Sequence, residues 1–213
     1  NLIHSSSCAV YGTPSRLPID ENLPLQPISP YGETKKLAES IFDQYSIQYG
    51  LKVAHLRYFN PVGAYKGFGE NHEPETHFVP LVVKALTQGK PLFLNGNDYD
   101  TRDGSCVRDF IHVEDLIEAH LLSIKFLENH AEGTTQVFNL GTGVGSTLKE
   151  VISAAEEVLG KKALVEIRPR RAGDPEELYA DSKKAKTTLN WTPKRTLKEM
   201  VKSDLEFRYG RQK

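Results

Sequence analysis

Apolar residues run through this chain in short blocks, and each block ends in a polar or glycine-rich break. The first, "NLIHSS" over 1–6, reads as the end of a buried strand. A proline- and polar-rich stretch over 12–28 predicts a loop. The period then changes. Leu37, Ile41 and Tyr45, with Ala38 and Phe42, recur at helical spacing and form one apolar stripe in "YGETKKLAESIFDQYSIQYG". Ser29 suits the N-cap, Pro30 the first helical position and Gly50 the end. "LKVAHLRYF" (51–59) predicts a strand, "NPVGA" a turn away from it, and 61–75 an irregular loop. Next come a helix over 76–89 with Pro80 in its first turn and a strand at "PLFLNG". "VRDFIHVEDLIEAHLLSIKFLEN" reads as a strand and then a helix from about Glu114. "QVFNLGTGVGS" reads as a strand and a glycine-rich turn, with Ser146 capping a helix that runs to about Gly160. A strand at "ALVEIR" and helices around 182–189 and 196–209 complete the pattern.

Strands alternating with helices predict an α/β fold with a largely parallel sheet. Ligands in such sheets sit at the carboxyl ends of the strands. "SSS", "RYFNP" and "NLGTG" each follow an apolar strand signal, so they belong at that end.

Composition removes several classes of function. The 213 residues suffice for one large domain or two small ones. Lys and Arg number 27 against 28 Asp and Glu, so nothing points to nucleic acid or an anionic membrane. No apolar run approaches the roughly 20 residues that span a bilayer. The opening "NLIHSSSCAVYG" is neither a signal peptide nor an initiator-Met start, and reads as the interior of a longer protein. Cys8 and Cys106 make no disulfide or metal pattern, which suits a reducing cytoplasm. The histidines do not cluster at ligand spacing, so no metal site is predicted.

Candidate chemistry begins at "SPYGETK" (29–35). Tyr31 and Lys35 stand four apart and share one helix face. Tyr31 falls near the positive end of the helix dipole. An ammonium and a helix N-terminus both favour a phenolate, which turns a poor base into a useful one. Gly32 is expected to let a flat ligand approach. A Tyr-x-x-x-Lys pair alone is common on solvated faces; a strand-end serine about two dozen residues before it makes the pattern far more specific. Such a hydroxyl can donate to the substrate oxygen whose proton Tyr31 takes. "GTGVGS" (141–146) mimics a dinucleotide fingerprint, but its spacing is G-x-G-x-G and it is read as structural.

The stretches "SSSCAVYG", "SPYGETK", "LRYFNPVGA", "GNDYDTRDGSCVRDFIHVEDL", "NLGTGVGST" and "PRRAGDPEELYAD" keep one order along nearly the whole chain. Together they resemble the extended short-chain dehydrogenase/reductase family, most closely its nucleotide-sugar C4 epimerases. The resemblance implies the C-terminal part of an NAD-binding Rossmann-type parallel sheet plus a smaller mixed α/β substrate domain. Residues 1–75 would be the remaining half of the dinucleotide-binding domain, with 107–142 packing back onto it, and 76–213 mainly the UDP-sugar-binding domain. It implies NAD as cofactor, UDP-glucose and UDP-galactose as substrates, and a homodimer at full length through helices that include that of Tyr31. Carried over by residue, Tyr31 resembles the catalytic base, Lys35 the residue that holds the nicotinamide ribose, and Ser7 the third member of the triad. Phe59 would contact the cofactor. Asn60, His77, Phe78, Arg108, Arg171 and Asp174 would hold the UDP-sugar, and Leu178 would form a pocket wall. The family's opening strand, glycine-rich turn and helix do not precede Asn1, so this chain by itself is expected to be inactive. Two alternatives stay open: a nucleotide-sugar 4,6-dehydratase, disfavoured because Cys8 and Ala9 follow Ser7 in place of an acid pair, and a catalytically silent nucleotide-sugar-binding protein.

Overall fold

The computed structural model describes residues 1–171, 173 and 175–210. Its central feature is a parallel sheet of β1 (Leu2–Ser7), β2 (Val53–Tyr58) and β7 (Thr135–Leu140), with β2 in the middle. Register aligns Ser7 with Tyr58 and Tyr58 with Leu140, so the three strands end level. The pleat sends Ala54 and Leu56 to one face, where they join Phe138, Leu140, Leu116, Ala119 and Trp191 in a core. That face is covered by α3 (Val113–Glu128) and α5 (Lys183–Leu189). His55 and Arg57 point the other way, toward α1 (Pro30–Tyr49).

α1 starts and stops where the sequence predicts. Ser29 Oγ accepts the Gly32 N–H at 3.1 Å, Pro30 is the first helical residue, and Gly50 closes the helix in the left-handed conformation. Its burial is reversed from expectation. Leu37, Ile41 and Tyr45 are each more than half exposed, whereas Glu39 and Ser46 are buried. Glu39 is buried because it has a cation to meet: Arg57 donates to both carboxylate oxygens, at 2.9 and 2.6 Å. A four-residue 3₁₀ turn at Cys8–Tyr11, absent from the sequence pattern, links β1 to the loop before α1.

A second cluster, around Val79, Val82, Val83, Leu86, Val151, Ile152, Met200 and Val201, is built by three helices. These are α2 (Phe78–Gln88), α4 (Leu148–Leu159) and α6 (Leu197–Tyr209). Short strands knit the remainder together. β3 (Asn60–Val62) pairs in parallel with β6 (Phe110–His112), so "NPV" forms a strand where a turn was expected. β4 (Pro91–Asn95) pairs with β9 (Leu164–Arg168), and β5 (Val107–Arg108) lies between β10 (Glu177–Leu178) and β8 (Ser146–Thr147). Ser146 therefore opens a strand, and the cap of α4 is Thr147, which forms a reciprocal capping box with Glu150. Among the described residues, no helix is long and apolar enough to cross a membrane.

Candidate active site

The level carboxyl ends of β1 and β2 open into a cavity of about 1000 Å³. Ser7, Tyr31, Phe59, Asn60, His77, Phe78, Arg108 and Arg171, singled out in the sequence, all line it. Asp174 lies outside the described residues. Arg171 also lines an adjoining cleft of about 750 Å³ with Arg170 and Tyr99. Lys35 stands behind the wall. Its Nζ donates to the Ser5 carbonyl at 2.9 Å and lies 5.7 Å from the centre of the Tyr31 ring. The backbone of β1 thus fixes the ammonium beside the phenol. Ser7 is the N-cap of the 3₁₀ turn, its Oγ accepting the Ala9 N–H at 3.2 Å.

Gly32 has a different reason from the expected one. It is buried, and a Cβ there would stand 2.5 Å from the Ala9 carbonyl oxygen and 2.9 Å from Pro27. The missing side chain lets α1 dock on the 3₁₀ turn that carries Ser7; it does not face the cavity. Leu178, expected in the pocket wall, adjoins Phe59, which lines the cavity. It packs against the small cluster of Val10, Tyr11, Ile19 and Phe59.

Sequence reasoning missed Tyr58, although "RYFNP" put it in view. It lines the cavity, its Oη 2.8 Å from Ser5 Oγ and 2.5 Å from His120 Nε2. Burial, with Tyr31 nearby, pushes its phenol pKa up. Of the three tyrosines that line the cavity, Tyr31, Tyr58 and Tyr65, Tyr31 is the exposed one, with 56% of its surface open. Cys8, next to Ser7, is pushed up by burial to about 12 and stays a neutral thiol.

Two further features depart from the sequence picture. The glycine-rich turn at 141–145 already cradles an anion. The Asp109 carboxylate accepts the N–H groups of Thr142 at 2.7 Å, Gly143 at 3.0 Å and Ala180 at 3.0 Å. A Cβ on Gly141 would come within 2.3 Å of that carboxylate, so the turn is shaped around Asp109. The histidines, expected to be scattered, do cluster: the loop before α2 brings His72 and His77 together with Glu70 and Glu75.

Beneath the site runs a buried polar network. Ser6 Oγ donates to Glu39 Oε1 at 2.5 Å, Arg57 Nη1 to Tyr11 Oη at 2.8 Å, and Tyr11 Oη to Asn139 Oδ1 at 2.7 Å. It ties β1, α1, β2, β7 and the 3₁₀ turn into one frame. Burial works against the Glu39 charge, but the Arg57 fork and the Ser6 hydroxyl outweigh it and hold the carboxyl below its usual range.

Residues 1–203 match the family model described as GDP-mannose 4,6 dehydratase. The UDP-glucose 4-epimerase of Corynebacterium glutamicum is 45% identical over 92% of this chain, which spans 59% of that protein. That of Lactobacillus helveticus is 46% identical over 91%, again spanning 59%. Among solved structures, a UDP-glucose 4-epimerase from Bifidobacterium longum in complex with NAD+ and UDP superposes with a TM-score of 0.90 at 40% identity. The match covers 98% of this chain and 63% of that one. A second, from Stenotrophomonas maltophila with bound NAD and formylated UDP-arabinopyranose, gives 0.93 at 34% identity, with the same two coverages. The chain thus spans about 60% of the length of the relatives it matches.

Proposed function

Because the chain belongs to the family described as GDP-mannose 4,6 dehydratase, we propose that, within a protein of its relatives' length, it carries out reversible NAD-dependent epimerisation at C4 of UDP-hexoses. The observation that carries this reading is the convergence of Ser7, Tyr31, Asn60, Arg108 and Arg171 on one cavity, with the Lys35 ammonium held behind Tyr31. The residues fit a nicotinamide group: Phe59 offers an apolar face, and Ser7 and Tyr31 offer hydroxyls in an open volume. Bound NAD would supply a reversible acceptor for the C4 hydride.

This chain's own residues do the rest. Tyr31 takes the proton of the C4 hydroxyl and later returns it, while Ser7 donates to the same oxygen. Lys35 keeps a positive charge beside the phenol through both transfers. Arg108 and Arg171 offer guanidinium donors matched to a diphosphate. Their grip on the UDP end leaves the sugar free to turn and present either face at C4. Tyr58, held neutral by its burial, is not a competing base. UDP-glucose and UDP-galactose are the substrates, in a homodimer formed through the exposed apolar side of α1, in the cytoplasm. The sequence division stands within this reading: 1–75 and 107–142 on the cofactor side, 76–213 mainly on the UDP-sugar side.

Product analysis tests the reaction. A protein of the relatives' length, given UDP-galactose, is expected to yield UDP-glucose. A 6-deoxy-4-keto sugar would make it a dehydratase instead. The neutral, half-buried thiol of Cys8 where such chemistry needs an acid speaks against that outcome.

A further inference from the structure

We propose that the loop preceding α2 is a binding site for one divalent transition-metal ion of the Zn²⁺ class, held by Glu70, His72, Glu75 and His77 at the wall of the cavity. Each of the four side chains offers one ligand atom, and these atoms all lie within 4.8 Å of one another. Glu70 Oε1 faces His72 Nδ1 at 2.9 Å and also contacts His77 Nδ1. Glu75 Oε1 lies 3.7 Å from His72 Nε2 and 4.0 Å from His77 Nδ1. Zinc–nitrogen and zinc–oxygen bonds of about 2.0–2.2 Å in a tetrahedron put neighbouring ligand atoms roughly 3.3 Å apart. With one ligand atom from each side chain and all four within 4.8 Å of one another, modest side-chain rotations would bring the set to that spacing.

The donor set selects the ion. Two imidazoles with two carboxylates suit Zn²⁺, Ni²⁺ or Cu²⁺, whereas Mg²⁺ and Ca²⁺ prefer oxygen alone. The loop is also braced as metal loops are, by groups that orient the ligands. Arg208 of α6 donates to the Glu70 carbonyl and to Glu75 Oε2, both at 3.0 Å. Glu75 Oε1 accepts the N–H groups of Thr76 at 2.9 Å and His77 at 3.0 Å, which fixes the carboxylate that the ion would meet. Without metal, the imidazole N–H groups point at carboxylate oxygens; binding replaces those protons with the cation. Glu70, His72 and His77 all line the cavity, so the ion would tie the loop down and add positive charge to its wall. None of this depends on the reaction the cavity performs.

The test uses this 213-residue chain. Co²⁺ is titrated in while its visible absorption is read, and Zn²⁺ is then added to displace it. One Co²⁺ per chain with the spectrum of a low-coordinate nitrogen–oxygen site, displaced stoichiometrically by Zn²⁺, is expected. The His72→Gln/His77→Gln double variant should lose the spectrum. Glu70→Gln, a milder change, should weaken Zn²⁺ affinity about tenfold or more. Far-UV circular dichroism and metal-free thermal unfolding check that both variants fold. No metal uptake by the wild-type chain, or the same affinity in both variants, overturns the proposal.

Discussion

At the scale of single residues, the site depends on which of several similar groups is placed to act. Tyr31 and Tyr58 both reach the cavity, but only Tyr31 combines exposure with an ammonium fixed beside it. That pairing was legible from the i, i+4 spacing and the strand-end serines, because both are local patterns. Gly32 was legible as special but for the wrong reason. Its partner, the Ala9 carbonyl, belongs to a 3₁₀ turn that no periodicity announces. Gly32→Ala is therefore expected to lower stability by about 1–3 kcal/mol, as overpacked contacts do, read as a lower urea midpoint at unchanged slope. An unchanged midpoint would return Gly32 to the ligand-approach role. His72 and His77 show the opposite limit. Their spacing carries no ligand signature, and only the loop's path brings them together.

At the scale of elements, caps and periods located the helices, and tertiary contacts decided which face was buried. α1 begins at Pro30 and ends at Tyr49 as its caps require. Its apolar stripe nevertheless faces solvent, because Glu39 and Ser46 have partners inside. Removing one member of a buried pair strands the other charge, so Glu39→Gln should cost about 3–5 kcal/mol in urea unfolding. A loss below 1 kcal/mol would mean that Arg57 is satisfied without it. The Glu39 carboxyl is held below its unfolded value, so its contribution is present above that value and is lost as pH falls through the folded one. His4 acts at higher pH. Burial, and then the charge of His55, lower it from 6.5 to about 4. The unfolded chain gains that proton first, so stability should fall as pH drops from about 6.5 toward 4. Unfolding midpoints at pH 7 and pH 5 read this directly, and His4→Asn should flatten the difference. At α4, Thr147→Ala should cost about 1 kcal/mol and Ser146→Ala much less, since Thr147 Oγ1 accepts the Glu150 N–H.

At the scale of the whole molecule, two cores built by different elements meet at the cavity: the sheet of β1, β2 and β7, and the cluster of α2, α4 and α6. The alternation of strands and helices made the parallel sheet legible. The two-residue strands β8 and β10 were not, because they are held by pairing with β5 across the chain and carry no pattern of their own. The exposed row of Leu37, Ile41 and Tyr45 is the natural seat of the proposed dimer. Leu37→Glu with Ile41→Glu should convert a dimeric protein to monomer in sedimentation without loss of helical signal. An unchanged mass would place the interface elsewhere.

The central claim is that Tyr31 moves the C4 proton. Its most direct measurement is the turnover of UDP-galactose by the Tyr31→Phe variant of a protein of the relatives' length, alongside its affinity for UDP. The variant removes a single oxygen and leaves Lys35, Arg108 and Arg171 in place. Turnover should fall by at least about 100-fold, the lower end of what a positioned acid–base group contributes, with UDP affinity nearly unchanged. Turnover equal to that of the parent protein would contradict the account.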